Sequence, residues 1–358
     1  MIQTLCTRDE TYSFTADAAR HPSRPIRAKA PVRISFAGGG TDVSPFPETE
    51  GGTVLSATID RFVHASLCPH TLGHVNVESV DYGLSLDLSN ETGFELDGNL
   101  DLVKAAIRRV WRGEEPGYSL VLSSATPPGS GLGSSSAVIV ALVAALNEYH
   151  DMTMSRYDIA RAAAEIERED LRIEGGLQDH YAAAFGGFNF IEFSDHVVVN
   201  PLRIQSDTIA ELEMNLILCY TGLTRRSDGI ISDQTARLKN ETPDTLEGLR
   251  AQKELAVAMK NALLWGQLDE FGWLLGQAWE AKKKMSPKIT TQFIDEIYDV
   301  AMRAGARGGK VTGAGGGGYI LLYVEFELRH KVIAELDKLG VSTADFAFVG
   351  EGVRTWRR

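Results

Sequence analysis

Cysteine is scarce in this chain: Cys6, Cys68 and Cys219 are the only three in 358 residues, they lie far apart, and none sits in a CxxC pair. That excludes a disulfide framework and a thiolate zinc site, and it fits a reducing, cytoplasmic setting. Blocks of positive charge are missing too. With 36 basic against 48 acidic residues the formal charge is −12, so the counterion release that drives nucleic-acid binding has no footprint, and no nucleic-acid partner is expected. Long apolar runs are also lacking: the longest, residues 137–146, is too short to cross a bilayer, and residues 1–29 hold no apolar core of signal-peptide length. No membrane association is expected. Repeats and low-complexity tracts are absent. What remains is ordinary globular composition, 44% hydrophobic and 23% charged, in a chain long enough for about two domains.

The first residues show no sustained helical or strand period, and 1–27 read as a poorly ordered extension. From Ala30 the pattern alternates: Val32, Ile34 and Phe36 interleave with Arg33 and Ser35, then Gly38-Gly39-Gly40 turns the chain into an apolar stretch over 53–67. This predicts opening antiparallel strands. A helix is expected over 100–111 and a strand over 118–122. Residues 134–149 are apolar on nearly every face, which predicts a helix buried on all sides. Ser155 is the N-cap of a further helix running to about Leu171. A boundary is placed at 203–210, ahead of a new apolar strand at 216–220, giving units of 28–205 and 206–358. The second unit reads as strand, long helices over 244–304, a glycine loop, a strand at 319–325, then helix and strand.

Four constellations could carry chemistry. Pro127-Pro128-Gly129-Ser130-Gly131-Leu132-Gly133-Ser134-Ser135-Ser136 places bare backbone immediately before a buried helix. Unpaired N–H groups and the partial positive charge of the helix N-terminus suit a phosphate, and the serine hydroxyls add donors or a magnesium ligand. It is neither a Walker loop, which ends in GK[ST], nor a dinucleotide GxGxxG. Thr312-Gly313-Ala314-Gly315 opens a second glycine loop that a ligand could approach closely, although a tight connection explains it equally well. Glu167 and Asp179, twelve residues apart with Gly175 and Gly176 between them, could be a carboxylate that holds magnesium and another that orients a hydroxyl, as phosphoryl transfer requires, although position alone leaves Glu167 open. Neighbouring Glu165, Glu169 and Asp170 read as a solvated face. Last, Arg33 is followed by Gly39, Gly40, Thr41 and Asp42, where Asp42 could equally cap the turn. His64, His70 and His74 imitate metal spacing but lack a completing carboxylate or thiolate cluster.

These four elements, in this order, resemble the GHMP small-molecule kinases over about residues 28–358. Pro-x-x-x-Gly-Leu-Gly-Ser-Ser is that family's nucleotide loop, and Ala30-Pro31-Val32-Arg33 and Thr312-Gly313-Ala314-Gly315 complete its three motifs. The resemblance implies an α+β, two-domain fold, an N-terminal split β-α-β domain and a C-terminal ferredoxin-like domain with the site between them. It implies ATP and Mg2+ as cofactors, the nucleotide on residues 128–136 (Pro128, Gly129, Ser130, Gly131, Leu132, Gly133, Ser134, Ser135, Ser136), the metal on Ser135 and Glu167, Asp179 as base, and Arg33 stabilising charge at the reacting hydroxyl. The turn through Asp42 looks like a sugar-binding turn, with Gly39-Gly40 standing where galactokinases carry Glu-His, so the acceptor site should be roomier there; the substrate contacts implied are Gly39, Gly40, Thr41, Asp42, Gly175, Gly176, Asp179, Arg225, Thr312, Gly313, Ala314 and Gly315. The strings 165–171, 175–181 and 185–190, with 351–356, look most like the branch of the family that phosphorylates the anomeric hydroxyl of a heptose 7-phosphate. The partner implied is a small-molecule sugar phosphate whose anion needs a cation: Arg225, Arg226, Arg172 and the run Lys282-Lys283-Lys284 are candidates, the lysines reading otherwise as a solvated helix face. A 1-kinase for a neutral sugar such as L-fucose, or a catalytically silent sensor on the same fold, are the alternatives. Oligomeric state, monomer or homodimer, is left open.

Overall fold

The computed structural model describes residues 24–70, 73–88, 94–110, 117–127, 129–223 and 228–358. The first sheet is built from β1 (Ile26–Ala37), β2 (Gly52–Pro69), β3 (Val75–Ser79), β4 (Leu84–Leu88), β5 (Tyr118–Ser124), β6 (Phe188–Phe193) and β7 (Val197–Pro201), joined by a strand from far down the chain, β12 (Arg354–Arg357). Its order is β12-β1-β2-β5-β3-β4, with β6 pairing both β2 and β7. The second sheet runs β11-β8-β10-β9, from β8 (Leu216–Tyr220), β9 (Ala306–Val311), β10 (Tyr319–Val324) and β11 (Ser342–Ala344).

The helices are α1 (Phe46–Glu50), α2 (Asp101–Val110), α3 (Ser134–Tyr149), α4 (Arg156–Glu165), α5 (Gln178–Phe185), α6 (Ser206–Asn215), α7 (Asp228–Lys239), α8 (Pro243–Leu264), α9 (Leu268–Met285), α10 (Gln292–Ala304) and α11 (Phe326–Lys338). The apolar helix expected over 134–149 is α3. It packs on β1 and β2 and against α2, α4 and α5, and Ala137 and Ile139 through Leu146 are all buried. Each large aliphatic side chain so buried contributes about 1.5–3 kcal/mol, which is ample to hold a helix whose first turn carries polar chemistry.

β1 carries the first site residues, and its register explains their aim. It pairs antiparallel with β2, with irregularities between Pro31 and Val32 and between Ser35 and Ala37. Bulges re-aim side chains, and these two bracket Arg33 and Ser35. Arg33 is no edge-facing surface arginine: it is 5% exposed. On the opposite face of the strand, Phe36 stacks on Phe188 of β6 and meets Phe271 of α9 edge-on, with ring centroids 6.2 and 5.3 Å away. One strand is therefore packed against both halves of the chain.

Four boundaries differ from the sequence reading. Residues 26–29, assigned in part to the extension, are strand, paired on one side with Leu67–His64 and on the other with Arg357–Arg354. Residues 1–23 lie outside the described residues. The span 206–358 does not stay with the second sheet, because β12 returns to cover the open edge of β1, an edge that would otherwise template pairing with another chain. The stretch 203–210, read as a connection, already contains the start of α6. The helix from Ser155 is α-helical only to Glu165. Ser155 caps it in a reciprocal box with Asp158, and Ile166–Asp170 then widen into a single π turn.

Candidate active site

The first glycine loop reaches α3 with Gly133 at the N-cap position in the left-handed conformation (φ 77°), open to glycine at no steric cost. Its four serines divide sharply. Ser134 Oγ lies 2.5 Å from Thr126 Oγ1 and 3.2 Å from Ser130 Oγ, and Ser136 Oγ donates to Glu167 Oε2 at 2.9 Å. The hydroxyls of Ser130, Ser134 and Ser136 are buried and tie the loop together, which corrects the expectation that all of them face a ligand. Ser135 alone is exposed. The Leu132 side chain is buried too, and its carbonyl accepts from Arg33 N at 2.9 Å. Pro128 lies outside the described residues.

The second glycine loop is packed onto the first. A Cβ on Gly313 would fall 2.6 Å from Gly131 Cα, and Tyr319 N donates to Ser130 O at 3.0 Å. Arg33 pins this junction: Nη1 donates to Gly131 O at 2.8 Å and to Thr312 O at 3.3 Å, while Nε donates to Asp179 Oδ1 at 2.7 Å. One guanidinium thus fixes both loops and the candidate base. Asp179 Oδ2 is left free of Arg33, facing Gly133 at the mouth of α3, 3.1 Å from where a Cβ on that glycine would stand. Gly315 is pressed on Ile289 O and Ala314 is half-buried, so these two support the loop.

Glu167 sits in the π turn, buried, at the other side of the same helix start. Ser135 Oγ donates to its Oε1 at 2.9 Å; His180 Nε2, at 2.7 Å, and Ser136 donate to Oε2. Burial alone would raise its pKa, but the hydrogen bond and charge of His180, the charge of Arg168 and the bond from Ser135 outweigh burial and hold it at about 2. Glu167 is therefore a carboxylate at any working pH. The single extra residue of a π turn rotates the side chains beyond it, and such turns recur at functional sites. Glu165, Glu169 and Asp170, read as a solvated face, instead surround Arg109 of α2 at 2.5, 3.6 and 2.9 Å.

The turn after β1 forms the third wall. Asp42 accepts from Gly40 N and Gln178 N, both at 3.0 Å, and from Gln178 Nε2 at 3.2 Å. It caps the turn and at the same time joins it to α5. Gly176 is pressed on this carboxylate and Gly175 on the Arg168 guanidinium, a Cβ falling 2.0 and 2.5 Å from them. Both glycines are packing positions, contrary to the substrate contacts expected of them. Thr41 is also corrected: its buried hydroxyl lies 2.8 Å from Gly38 O and 3.0 Å from Thr53 O, and accepts from Thr53 N, so it is spent on the fold. Arg225 and Arg226 lie outside the described residues. Of the lysine run, Lys283 and Lys284 pair at the surface with Glu280 and Glu247, whereas Lys282 is buried. His180, Arg168, Gln178, Ser35 and Lys310 were not singled out from sequence. His180 adjoins Asp179, and that adjacency was the one signal available for it.

The profile of the GHMP kinases N terminal domain matches residues 101–187 and that of the GHMP kinases C terminal domain residues 255–342. The D-glycero-alpha-D-manno-heptose 7-phosphate kinase of Campylobacter jejuni is 37% identical over 337 residues, 93% of this chain and 99% of that protein. The chain belongs to the GHMP kinases. A crystal structure of a D-glycero-D-manno-heptose 1-phosphate kinase from Bacteroides thetaiotaomicron matches this GHMP kinase with a TM-score of 0.78 and 34% identity, covering 93% of this chain and 99% of that one. More distantly, the L-fucokinase/L-fucose-1-P guanylyltransferase of Bacteroides fragilis is 27% identical over 83% of this chain and 34% of that protein. As a GHMP kinase the chain is an ATP-dependent phosphotransferase with an alcohol group as acceptor, of mixed α/β two-domain fold. No helix among the described residues is long and apolar enough to cross a membrane.

Proposed function

We propose that this kinase transfers the γ-phosphoryl group of ATP to the anomeric hydroxyl of D-glycero-α-D-manno-heptose 7-phosphate, giving the 1,7-bisphosphate on the way to GDP-heptose in the cytoplasm. The observation that carries the reading is the Arg33–Asp179 pair, held at the mouth of α3 between two interlocked glycine loops, in a chain similar over nearly its whole length to a kinase named for that sugar phosphate. The loop backbone and the N-terminus of α3 would take the nucleotide phosphates. Asp179 Oδ2 would orient the hydroxyl and accept its proton, and an anomeric hydroxyl, more acidic than an ordinary alcohol, asks little of a carboxylate base. Arg33, fixed by Asp179 and two carbonyls, would offset charge developing in line with the transfer.

Magnesium fits the residues present. Ser135 supplies an exposed hydroxyl 2.9 Å from the ionised Glu167, as suits an ion held by one or two protein oxygens together with substrate phosphates. When bound it would neutralise phosphate charge. Following ADP release and the 31P spectrum of the product tests the proposal, with D-glycero-D-manno-heptose 7-phosphate, the corresponding 1-phosphate, unphosphorylated heptose and L-fucose each offered. Turnover of the 7-phosphate with a new anomeric phosphate supports it. A new phosphate at O7 instead would reverse the acceptor position, the possibility raised by the name of the Bacteroides thetaiotaomicron relative, and turnover of L-fucose alone would favour a neutral-sugar 1-kinase.

A further inference from the structure

Three buried basic side chains, Arg33, Lys310 and Lys282, lie close enough to repel one another, and two are already committed. Arg33 is bound to Asp179, Gly131 O and Thr312 O. Lys310 of β9 donates to Ser35 O at 2.7 Å and Val311 O at 3.0 Å. The third, Lys282 in the last turn of α9, is 5% exposed, yet among the described residues no carboxylate lies within ion-pair distance of its Nζ and no acceptor is bonded to it. Its Nζ is 4.0 Å from the point where a Cβ on Gly39 would stand; Ser35 Oγ and Gln178 Nε2 are each 3.4 Å from the same point. Ser35 Oγ and Gln178 Oε1 are buried and have no hydrogen-bond partner. Lys282 Nζ and Ser35 Oγ thus converge on the bare face of Gly39 with bonding capacity unused, beside a Gln178 Nε2 already bonded to Asp42, and burying such groups destabilises the fold unless something completes them.

We infer that Lys282 and Ser35 form a subsite over Gly39 for the phosphate already carried by the acceptor sugar, Lys282 being its charged binding residue. The assignment rests on the sugar phosphate substrate proposed above. An ammonium beside a hydroxyl matches an anion ringed by oxygen atoms, whereas a neutral sugar would leave the buried charge uncompensated. Burial lowers the pKa of Lys282 to about 8, Asp42 and Asp179 opposing and Arg33 adding to the shift. The titratable groups facing it are Arg33 of β1, Asp42 of the following turn, Asp179 of α5 and Lys310 of β9. A bound phosphate monoester would raise the pKa again, so affinity for the phosphorylated acceptor should fall as pH rises through about 8.

The test compares binding of heptose 7-phosphate and unphosphorylated heptose by calorimetry, and their kcat and KM with ATP, in the wild type, Lys282→Met and Gly39→Ala. Gly39→Ala is admitted sterically, since its new Cβ meets nothing closer than 3.4 Å. Removing the ammonium should weaken heptose 7-phosphate at least about 30-fold in Kd and KM, the size expected of charge-assisted hydrogen bonds, and should move the KM for unphosphorylated heptose and the kcat far less. The pH dependence above 8 should vanish, and Tm should hold or rise because an unpaired buried charge is gone. Gly39→Ala should show the same pattern, smaller. A wild type without preference for the phosphorylated sugar refutes the substrate reading and the subsite with it. A wild-type preference that survives in Lys282→Met refutes the subsite alone. Equal losses on both sugars, or a loss of kcat at unchanged KM, would place the ammonium at the reacting hydroxyl or in the fold, and would equally overturn it.

Discussion

Replacing Glu167 by Gln keeps the shape of the π turn and removes one buried negative charge. The carboxylate accepts from Ser135, Ser136 and His180 and lies 3.3 Å from the Arg168 guanidinium. A carboxamide can serve the donors at its oxygen but turns N–H groups toward the others; the serine hydroxyls can rotate to accept, while Arg168 cannot and falls back on Ile173 O and Gly176 O. With the pKa of Glu167 at about 2 instead of its ordinary 4.5, the ionised form contributes roughly 3 kcal/mol to stability. Because the folded-state pKa lies below the unfolded one, that stability is fully present above pH about 5 and is lost as pH falls toward 2. The variant should therefore unfold at neutral pH with Tm lower by roughly 4 °C, and the gap from wild type should close as pH is taken from 7 to 3. Paired thermal melts across that range measure it. A gap that stays constant with pH would mean the charge of Glu167 is not what its neighbours stabilise, and the electrostatic account of the turn would be wrong. In the same variant the magnesium concentration for half-maximal activity should rise at least tenfold; an unchanged metal titration would remove Glu167 as a ligand.

Asp179→Asn keeps an oxygen for Arg33 and removes the proton acceptor, so kcat should fall by about 10²–10⁴ with the fold intact; single-turnover phosphorylation reads this, and near-full turnover would end the base assignment. Gly313→Ala drives a methyl group into the Gly131 backbone at 2.6 Å, at a cost of about 1–3 kcal/mol, so Tm should drop and the KM for ATP rise together. Deleting residues 354–358 removes β12 and the bonds from Arg357 to Glu148 and Asp151. The uncovered edge of β1 should appear as concentration-dependent light scattering.

Much of this was legible in the sequence where chemistry and local pattern coincide. A glycine loop entering an apolar helix announces itself, whereas an arginine alternating with Val32, Ile34 and Phe36 reads equally as a surface side chain, and only the family resemblance gave Arg33 a role. Glu167 was separable from its acidic neighbours only through the family resemblance, because an α-helical reading cannot show that residues 166–170 form a π turn; the inserted residue has no compositional mark. The lysine run failed for a geometric reason. Consecutive helical residues turn by about 100°, so three identical letters hide one inward and two outward side chains. Gly175 and Gly176 were expected at the substrate because bare backbone near chemistry suggests contact, and Thr41 because its turn resembles a sugar-binding one, but what approaches them is Arg168, Asp42 and the backbone of Gly38 and Thr53, which no composition reveals.

The pairing of β12 with β1 also sets an order of events in synthesis. The strand that holds Arg33 is made early, and its outer edge stays open while the whole second sheet and its helices are still being translated. Until Arg354–Arg357 arrive, the nascent chain carries a half-dressed strand of the kind that invites wrong partners. Closure of that edge is thus a late step, and a chain interrupted before that strand would keep the edge exposed to quality control.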